Sequence, residues 1–235
     1  LNGYVHIIRG SINMENVLEF KNVTYTYQNY KNQYVSLKNT SYSFDKGKIY
    51  GVVGSDDSGK IATVILAAGL DKPANGKVIY KGNDVTKIGL SKYRRNDSAI
   101  IFKSSNLIYY LNAYENILAT LKIAKIKVSN KKKYCLNILE KLGLSKKQCF
   151  ENVDNLPDNL QQRVALARAI VKNVDLILAD EPTGNLDEKD SQEFLDDLIT
   201  LAHQGRCVIV STCSPSLAAK CDVQLRIQNG QIIEI

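Results

Sequence analysis

The sequence has little of what marks a secreted, zinc-binding or membrane-spanning chain. Its 235 residues include five cysteines and two histidines, and no two cysteines form a CxxC pair. An odd number of cysteines without paired spacing favours a reduced cytosolic compartment over a disulfide framework or a zinc site. The longest apolar run, "IATVILAAGL", has about half of the length that a bilayer crossing needs. Any membrane function therefore requires another polypeptide.

Methionine is also scarce, and the single one is Met14. Because "MENVLEFKNVTYTY" reads as a natural beginning, we expect residues 1–13 to be an extension outside the functional domain. Residues 14–235 contain no internal repeat and no low-complexity linker, and they suffice to bury a substantial core. We expect them to form one domain.

The formal net charge of +7 does not by itself indicate a polyanionic partner. The lysines are spread along the chain, and the densest run, Lys131 to Lys133, falls in a helix-like stretch. A solvated lysine-rich surface accounts for this pattern, so we expect no specific nucleic-acid partner. Nucleic-acid binding remains a third alternative, which salt-sensitive retention on DNA or RNA would support.

The order of the apolar patterns predicts an α/β fold. Short β-rich runs from Val17 to about Val53 predict antiparallel strands that lead into a buried strand. Apolar residues at three- and four-residue spacing predict a helical subdomain over about 111–171. "VDLILAD" and "CVIVST" lack alternation, which is typical of central parallel strands covered on both faces. Asn229-Gly230 predicts a hairpin turn near the C-terminus.

The stretch "GSDDSGKIA" lies between a predicted strand and a predicted helix and almost has the spacing of a phosphate-binding loop. The pattern G-x-x-x-x-G-K-[ST] is met at Gly54, Gly59 and Lys60 and fails at Ile61, which has no oxygen for magnesium. The candidate phosphate-binding residues are Gly54, Ser55, Asp56, Asp57, Ser58, Gly59, Lys60 and Ile61.

Asp56 and Asp57 place two carboxylates beside a pocket meant for anions. Two charges about 4 Å apart interact by roughly 4 kcal/mol at an effective dielectric near 20, so these carboxylates can cancel what Lys60 contributes. Triphosphate affinity should therefore be weak, although carboxylates that point to solvent would impose a smaller penalty.

A second informative stretch is "LILADEPTGNLD", in which a predicted buried strand ends in Asp180 and Glu181. One such carboxylate can hold a magnesium-bound water while the next polarises an attacking water. The alternative is an acidic pair that caps a turn, but the continuation "PTGNLD" favours the functional reading.

With the phosphate-loop pattern, this stretch resembles the nucleotide-binding subunits of ABC transporters, particularly the branch that serves lipoprotein release, macrolide and peptide export, and cell division. The resemblance runs from Val17 to the C-terminus in the family's motif order. It implies a P-loop NTPase core with a mostly parallel sheet, an N-terminal antiparallel β subdomain and a helical subdomain. It also implies ATP and Mg²⁺ as cofactors, a membrane-spanning permease as partner, and a homo- or heterodimer of cassettes on the cytoplasmic face of the membrane.

The resemblance assigns roles to individual residues. Asp180 would be the Walker B metal-water ligand and Glu181 the general base, while Leu186 and Asp187 would belong to the D-loop that couples the two sites of a dimer. Tyr27 in "VTYTY" is similar to the aromatic residue that stacks on adenine, and an ordinary core or surface tyrosine explains it equally well.

Several positions depart from the family pattern. In "LPDNLQQRVALARAI", the residues Pro157, Asp158, Asn159 and Leu160 replace Ser, Gly, Gly and Gln of the LSGGQ signature, and Gln161 follows them. Proline removes a hydroxyl and an amide that would meet the γ-phosphate, and the aspartate adds negative charge.

Two further departures are Lys103, where the Q-loop glutamine is expected, and Cys213, where the switch histidine is expected. A cysteine is a weak donor and cannot replace the imidazole contact to phosphate.

The charge changes have compensating signs. We therefore hypothesise that Asp56 or Asp57 fills the phosphate nest or pairs with Lys60, and that Lys103 neutralises Asp180 or Glu181 in place of magnesium. The alternative is uncoordinated drift of positions no longer under selection.

Two functions are compatible with this combination of retained and altered motifs. One is a non-hydrolytic or regulatory cassette subunit with weak or absent ATP binding, and the other is an active Mg-dependent ATPase that drives export of a peptide, drug or lipoprotein.

Overall fold

A computed structural model of the chain describes residues 16–28, 33–54 and 59–235. Within these residues the strands form two sheets and the helices pack around the larger one. The strands are β1 (Asn16–Gln28), β2 (Gln33–Asp45), β3 (Ile49–Val53), β4 (Asn75–Tyr80), β5 (Asn83–Asp84), β6 (Ser98–Phe102), β7 (Leu176–Asp180), β8 (Cys207–Thr212), β9 (Val223–Gln228) and β10 (Gln231–Glu234).

The helices lie between these strands in the order that the apolar patterns predict. They are α1 (Lys60–Ala67), α2 (Val85–Ile88), α3 (Leu90–Asn96), α4 (Ala113–Ile123), α5 (Lys131–Lys141), α6 (Lys146–Cys149), α7 (Asp158–Val171), α8 (Glu188–His203) and α9 (Pro215–Ala218), with one 3₁₀ turn at Val153–Asn155. No helix of the described residues is long and apolar enough to span a bilayer.

The smaller sheet is antiparallel, with strand order β2-β1-β4-β5. Along β1 the side chains alternate over Leu18–Phe20, and the pairing shifts register before Val23, where Asn22 takes a positive φ of 49°. Beyond that bulge, Val23 and Tyr25 are again buried. The bulge therefore keeps one face of a thirteen-residue strand turned towards the core.

The larger sheet has the order β10-β9-β3-β8-β7-β6, and every pair in it is parallel except β9 with β10. The predicted central strands are confirmed as β7 and β8, which are buried along nearly their whole length. The predicted hairpin is confirmed between β9 and β10, where Asn229 and Gly230 have φ of 52° and 80°.

Alternate residues of the central strands serve two separate cores. On β7, Ile177 and Ala179 face the core formed with α4, α5, α7 and α8, whereas Leu176 and Leu178 face the core shared with α1 and the antiparallel sheet. Burial of each such side chain contributes about 1.5–3 kcal/mol. This two-sided burial explains why these strands read as continuous apolar runs.

The helices from α4 to α7 bring the loop after β6 and the start of α7 against the carboxyl end of the parallel sheet. Asn112 caps α4 through a capping box with Glu115, which sets where that helix begins. Asn116 is buried and its side chain donates to the carbonyls of Ile108, Leu111 and Asn112. The segment between β6 and α4 is therefore fixed by side-chain hydrogen bonds as well as by packing.

We expect Leu178→Ala to lower the free energy of unfolding by about 2–5 kcal/mol, because Leu178 is fully buried and its removal leaves a cavity between β7 and the antiparallel sheet. Leu70→Ala is the matched control, since Leu70 is 41% exposed and should change stability by less than about 0.5 kcal/mol. Urea unfolding followed by circular dichroism measures both. Equal losses in the two variants would contradict the burial of Leu178.

Candidate nucleotide site

The predicted strand, loop and helix are β3, the segment from Gly54 to Gly59, and α1. Gly59 precedes α1 with φ of 92°, and a Cβ there would lie 2.5 Å from the Ser36 carbonyl oxygen. Only glycine fits this position without displacing β2. Ser55, Asp56, Asp57 and Ser58 lie outside the described residues, so the expected pairing of Asp56 or Asp57 with Lys60 stays a prediction.

Lys60, the first residue of α1, has no solvent exposure. Its ammonium donates to the carboxylate of Glu181, and the distance from Nζ to Cys213 Sγ is 2.6 Å. The side chain of Glu181 is only 19% exposed. A fully buried ammonium requires a counter-charge, and here a carboxylate of the protein supplies one.

Cys213 follows β8 and is exposed, although its thiol contacts two charged groups. The hydrogen bond from Lys60 lowers the pKa of this thiol. The bond to Glu181, partial desolvation and the Glu181 charge together outweigh that effect and raise the pKa above its usual value. Cys213 is therefore mainly a neutral thiol near neutral pH.

Glu181 is held by its backbone as well as by Lys60. Its φ is 44°, a left-handed conformation that costs a non-glycine residue about 1–3 kcal/mol. The Glu181 amide donates to the Ser211 carbonyl at 3.1 Å, which fixes the turn against β8. This turn directs the Glu181 side chain to Lys60.

Asp180 ends β7 and is not part of that ion pair. It accepts a hydrogen bond of 2.6 Å from the Ser211 hydroxyl, which lies opposite it in the parallel register of β7 and β8. The two adjacent carboxylates therefore have different partners, Ser211 for Asp180 and Lys60 for Glu181.

The described residues offer a magnesium ion few ligands. Ile61 is half-buried in the first turn of α1 and offers no oxygen, and Glu181 is already bound to Lys60. Asp180 remains as a single carboxylate, and the described part of the chain has no cluster of three His, Cys, Asp or Glu side chains able to hold a metal. Mg²⁺ prefers six oxygen ligands, several of them water, anchored by one or two carboxylates.

Lys103 lies in the loop after β6, and its exposed side chain runs along Gly184. A Cβ at position 184 would lie 2.7 Å from Lys103 Cε. No ion pair among the described residues joins Lys103 to Asp180 or Glu181. The expectation that Lys103 neutralises one of these carboxylates is therefore wrong, because Lys60 already pairs with Glu181 and Ser211 donates to Asp180.

The segment aligned with the signature begins α7, with Pro157 at the N-cap and Asp158 as the first helical residue. The amides of Leu160 and Gln161 donate to the Pro157 carbonyl, and the Gln161 side chain donates to the Leu156 carbonyl at 2.8 Å. Asn159 lies in the same turn. Asp158 adds a negative charge in the first turn of α7, at the positive end of the helix dipole.

A buried glutamine, Gln162, joins the elements around this turn. Its amide donates to the carbonyls of Phe102 at 3.0 Å and Pro182 at 2.7 Å, and its oxygen accepts from the Ser105 hydroxyl. The motif match included Gln162 but gave it no role, because its partners lie about 20 and 60 residues away. A cavity of about 140 Å³ lies beside it, lined by Lys103, Asp158 and Gln161 among others.

The predicted D-loop residues are placed at the start of α8. Asp187 is the N-cap, and its carboxylate accepts from the Asp190 amide at 2.8 Å. Leu186 packs against the helical core. Both residues line a groove of about 1100 Å³ that also reaches Glu181 and Cys213. The backbone of Tyr27 lies in β1, and its side chain is outside the described part of the structure.

Comparisons with known proteins agree on one family. The family described as "ABC transporter" matches residues 37–184. An uncharacterized ABC transporter ATP-binding protein, YclH of Bacillus subtilis (strain 168), is 40% identical over 91% of this chain and 94% of its own length. The lipoprotein-releasing system ATP-binding protein LolD of Buchnera aphidicola subsp. Acyrthosiphon pisum is 32% identical, covering 92% of this chain and 96% of its own.

A solved structure also matches along nearly the whole chain. It is described as a dimeric post-hydrolysis state of the ATP-binding cassette MJ0796 bound to ADP and Pi. It is 28% identical, has a TM-score of 0.80, and covers 93% of this chain and 97% of its own. The expected fold class is confirmed.

We expect Glu181→Gln to speed the alkylation of Cys213 by iodoacetamide at pH 8. The Glu181 carboxylate raises the pKa of this thiol, so its removal increases the fraction of reactive thiolate. Peptide mass spectrometry gives the rate for each cysteine, and the buried Cys207 serves as the internal control. An unchanged or slower rate at Cys213 would show that Glu181 does not act on the thiol.

Proposed function

Because the chain belongs to the ABC transporter family, we propose that it is a cassette subunit that binds ATP weakly and hydrolyses it slowly or not at all. The observation that carries this proposal is the ion pair between Lys60 and Glu181. The lysine that would bind phosphate and the carboxylate that would activate water neutralise each other. Lys60 cannot bind phosphate, and Glu181 cannot activate water, until the pair separates.

The cost of separating the pair supports weak binding. A triphosphate that takes Lys60 must leave Glu181 without its counter-charge, and breaking such a pair costs roughly 3 kcal/mol. A loss of that size corresponds to about a hundredfold in Kd. Ile61 adds to the cost because the phosphate-binding turn lacks its magnesium ligand.

Hydrolysis meets a further obstacle in how cassettes of this family are assembled. By the resemblance described above, nucleotide lies between the phosphate loop of one subunit and the signature of the other. This chain departs from the family in both elements, at Ile61 and at Pro157 and Asp158. It therefore impairs both composite sites of a dimer, whether its partner is identical or different.

Membership of this family also suggests a function that does not require ATP hydrolysis. We infer that it docks from the cytoplasm on a membrane permease and acts as a scaffold or regulator, either as a homodimer or beside an active cassette. The permease assignment rests on the relatives, of which LolD is named as part of a lipoprotein-releasing system. The permease, rather than this subunit, would select the transported substrate.

A competing proposal is an active Mg-dependent ATPase that drives export of a peptide, drug or lipoprotein. The retained Asp180–Glu181 pair and "PTGNLD" favour it, as does the likeness to a cassette described with ADP and Pi. Under this proposal ATP must draw Lys60 from Glu181 on binding, which would leave Glu181 free to activate water.

Steady-state phosphate release separates these two proposals. We expect the wild-type protein and Glu181→Gln to give the same background rate, because Glu181 is held by Lys60 and activates no water. Turnover by the wild type that Glu181→Gln abolishes would replace our proposal with the ATPase.

Titration calorimetry with ATP and no added metal tests the ion pair itself. We expect Glu181→Gln to bind ATP up to about a hundredfold more tightly than the wild type, because the carboxylate that competes with phosphate for Lys60 is removed. Glu188→Gln is the matched control, since it removes the same charge from an exposed position at the start of α8. Low-micromolar ATP binding by the wild type would contradict the proposal.

A further inference from the structure

A second charged cavity lies apart from the candidate nucleotide site. Its volume is about 210 Å³, and it lies between α3, the first half of β6, α4 and the end of α7. Ala99 and Ile100 line it near the start of β6, whereas Lys103 follows the other end of that strand. The cavity therefore lies towards the start of β6, and of its residues Arg168 reaches the loop after that strand through a bond to the Asn106 carbonyl.

Four cationic side chains line this cavity: Arg94, Arg95, Arg168 and Lys172. No carboxylate lines it, and none of the ion pairs among the described residues includes any of the four. The remaining wall is apolar apart from Thr120. Like charges in one cavity repel each other, so the cluster is a local cost to the fold unless an anion offsets it.

Lys172 shows the unfavourable electrostatics of the cavity most clearly. Its ammonium donates to the carbonyl oxygens of Arg94, at 2.6 Å, and of Ser98. Burial lowers the pKa of Lys172 to about 8, the charge of Asp97 partly opposes this effect, and the charge of Arg168 adds to it. An ammonium has three donor hydrogens, and the two carbonyls use two of them.

Arg168 is placed similarly. Burial lowers its pKa, and one of its nitrogens donates to the Asn106 carbonyl at 2.6 Å. A guanidinium has five donor hydrogens in a planar fork that suits phosphate and carboxylate oxygens. Arg168 and Lys172 are thus two half-buried cations whose hydrogen bonds, within the described part of the chain, go to neutral carbonyls.

Asp97 does not complete the charge balance of the cavity. It follows α3 and attracts Lys172, but it is not part of the lining and forms no ion pair with the four cations. Desolvation raises the pKa of Asp97, although Lys92, Lys81 and Lys172 act in the opposite direction. Of the four cations in the lining, Asp97 acts on Lys172, and two lysines outside the lining share its charge.

We propose that this cavity binds a small multivalent oxyanion of the phosphate class. The charge, the guanidinium donors and the third Lys172 hydrogen suit an ion with several oxygens, and the apolar wall leaves space for a small organic group on a phosphomonoester. The simpler alternative is that Lys172 only fixes the end of α7 to the last turn of α3. That role explains the two carbonyl bonds, but it gives no reason to gather Arg95 and Arg168 at the same cavity.

The test is the binding of inorganic phosphate, measured by calorimetry and by the shift in Tm at pH 7 and constant ionic strength. Phosphate should bind saturably and raise the Tm, whereas acetate at the same concentration should not. Lys172→Met should weaken phosphate binding about tenfold or more, since hydrogen bonds to charged groups are the strong ones. Arg95→Gln should weaken it several-fold while preserving the fold, because Arg95 is exposed and its side chain donates a hydrogen bond to the neighbouring Asn96.

A matched variant excludes a general effect of charge. Lys141→Met removes one positive charge from an exposed helical position and should leave phosphate binding unchanged. The proposal is overturned by absent or non-saturable binding, by full retention in Lys172→Met and Arg95→Gln, or by an equal loss in Lys141→Met.

Discussion

The ion pair between Lys60 and Glu181 is the interaction on which the candidate nucleotide site depends. A lysine with no solvent exposure at the start of α1 must have a counter-charge, and Glu181 provides it from a left-handed turn after β7. The same contact places the Cys213 thiol beside the ammonium. Glu181 and Cys213, which belong to motifs far from Lys60 in the sequence, thus both contact the Lys60 Nζ atom.

The departures from the family pattern around this ion pair are interpreted together with it. Ile61 removes a metal ligand, and without a metal Glu181 has only a lysine to neutralise it. Asp158 supplies a further negative charge in the first turn of α7. Within the described residues, the charge of Lys60 is thus offset by a carboxylate of the same chain, and the proposed weak ATP binding rests on this contact.

Much of the fold could be read from the sequence because its signals are local. The apolar runs of β7 and β8, the Asn229-Gly230 turn and the helical spacing between α4 and α7 each follow from short-range periodicity or turn geometry. The partner of Glu181 could not be read in this way. The positive charge of Lys103 led to the expectation that it neutralises Asp180 or Glu181. In the folded chain Glu181 lies beside Lys60 instead, and Lys103 lies along Gly184.

The sequence by itself determined the family, the order of the elements and the residue types at each motif, because all of these are properties of neighbours along the chain. The tertiary structure alone decided which charges meet. The parallel register puts Ser211 beside Asp180, the turn at Glu181 aims its carboxylate at Lys60, and the packing of α7 against β6 gathers four cations around a second cavity. Electrostatic energy depends on distances through space, and a linear sequence does not specify those distances until the chain is folded.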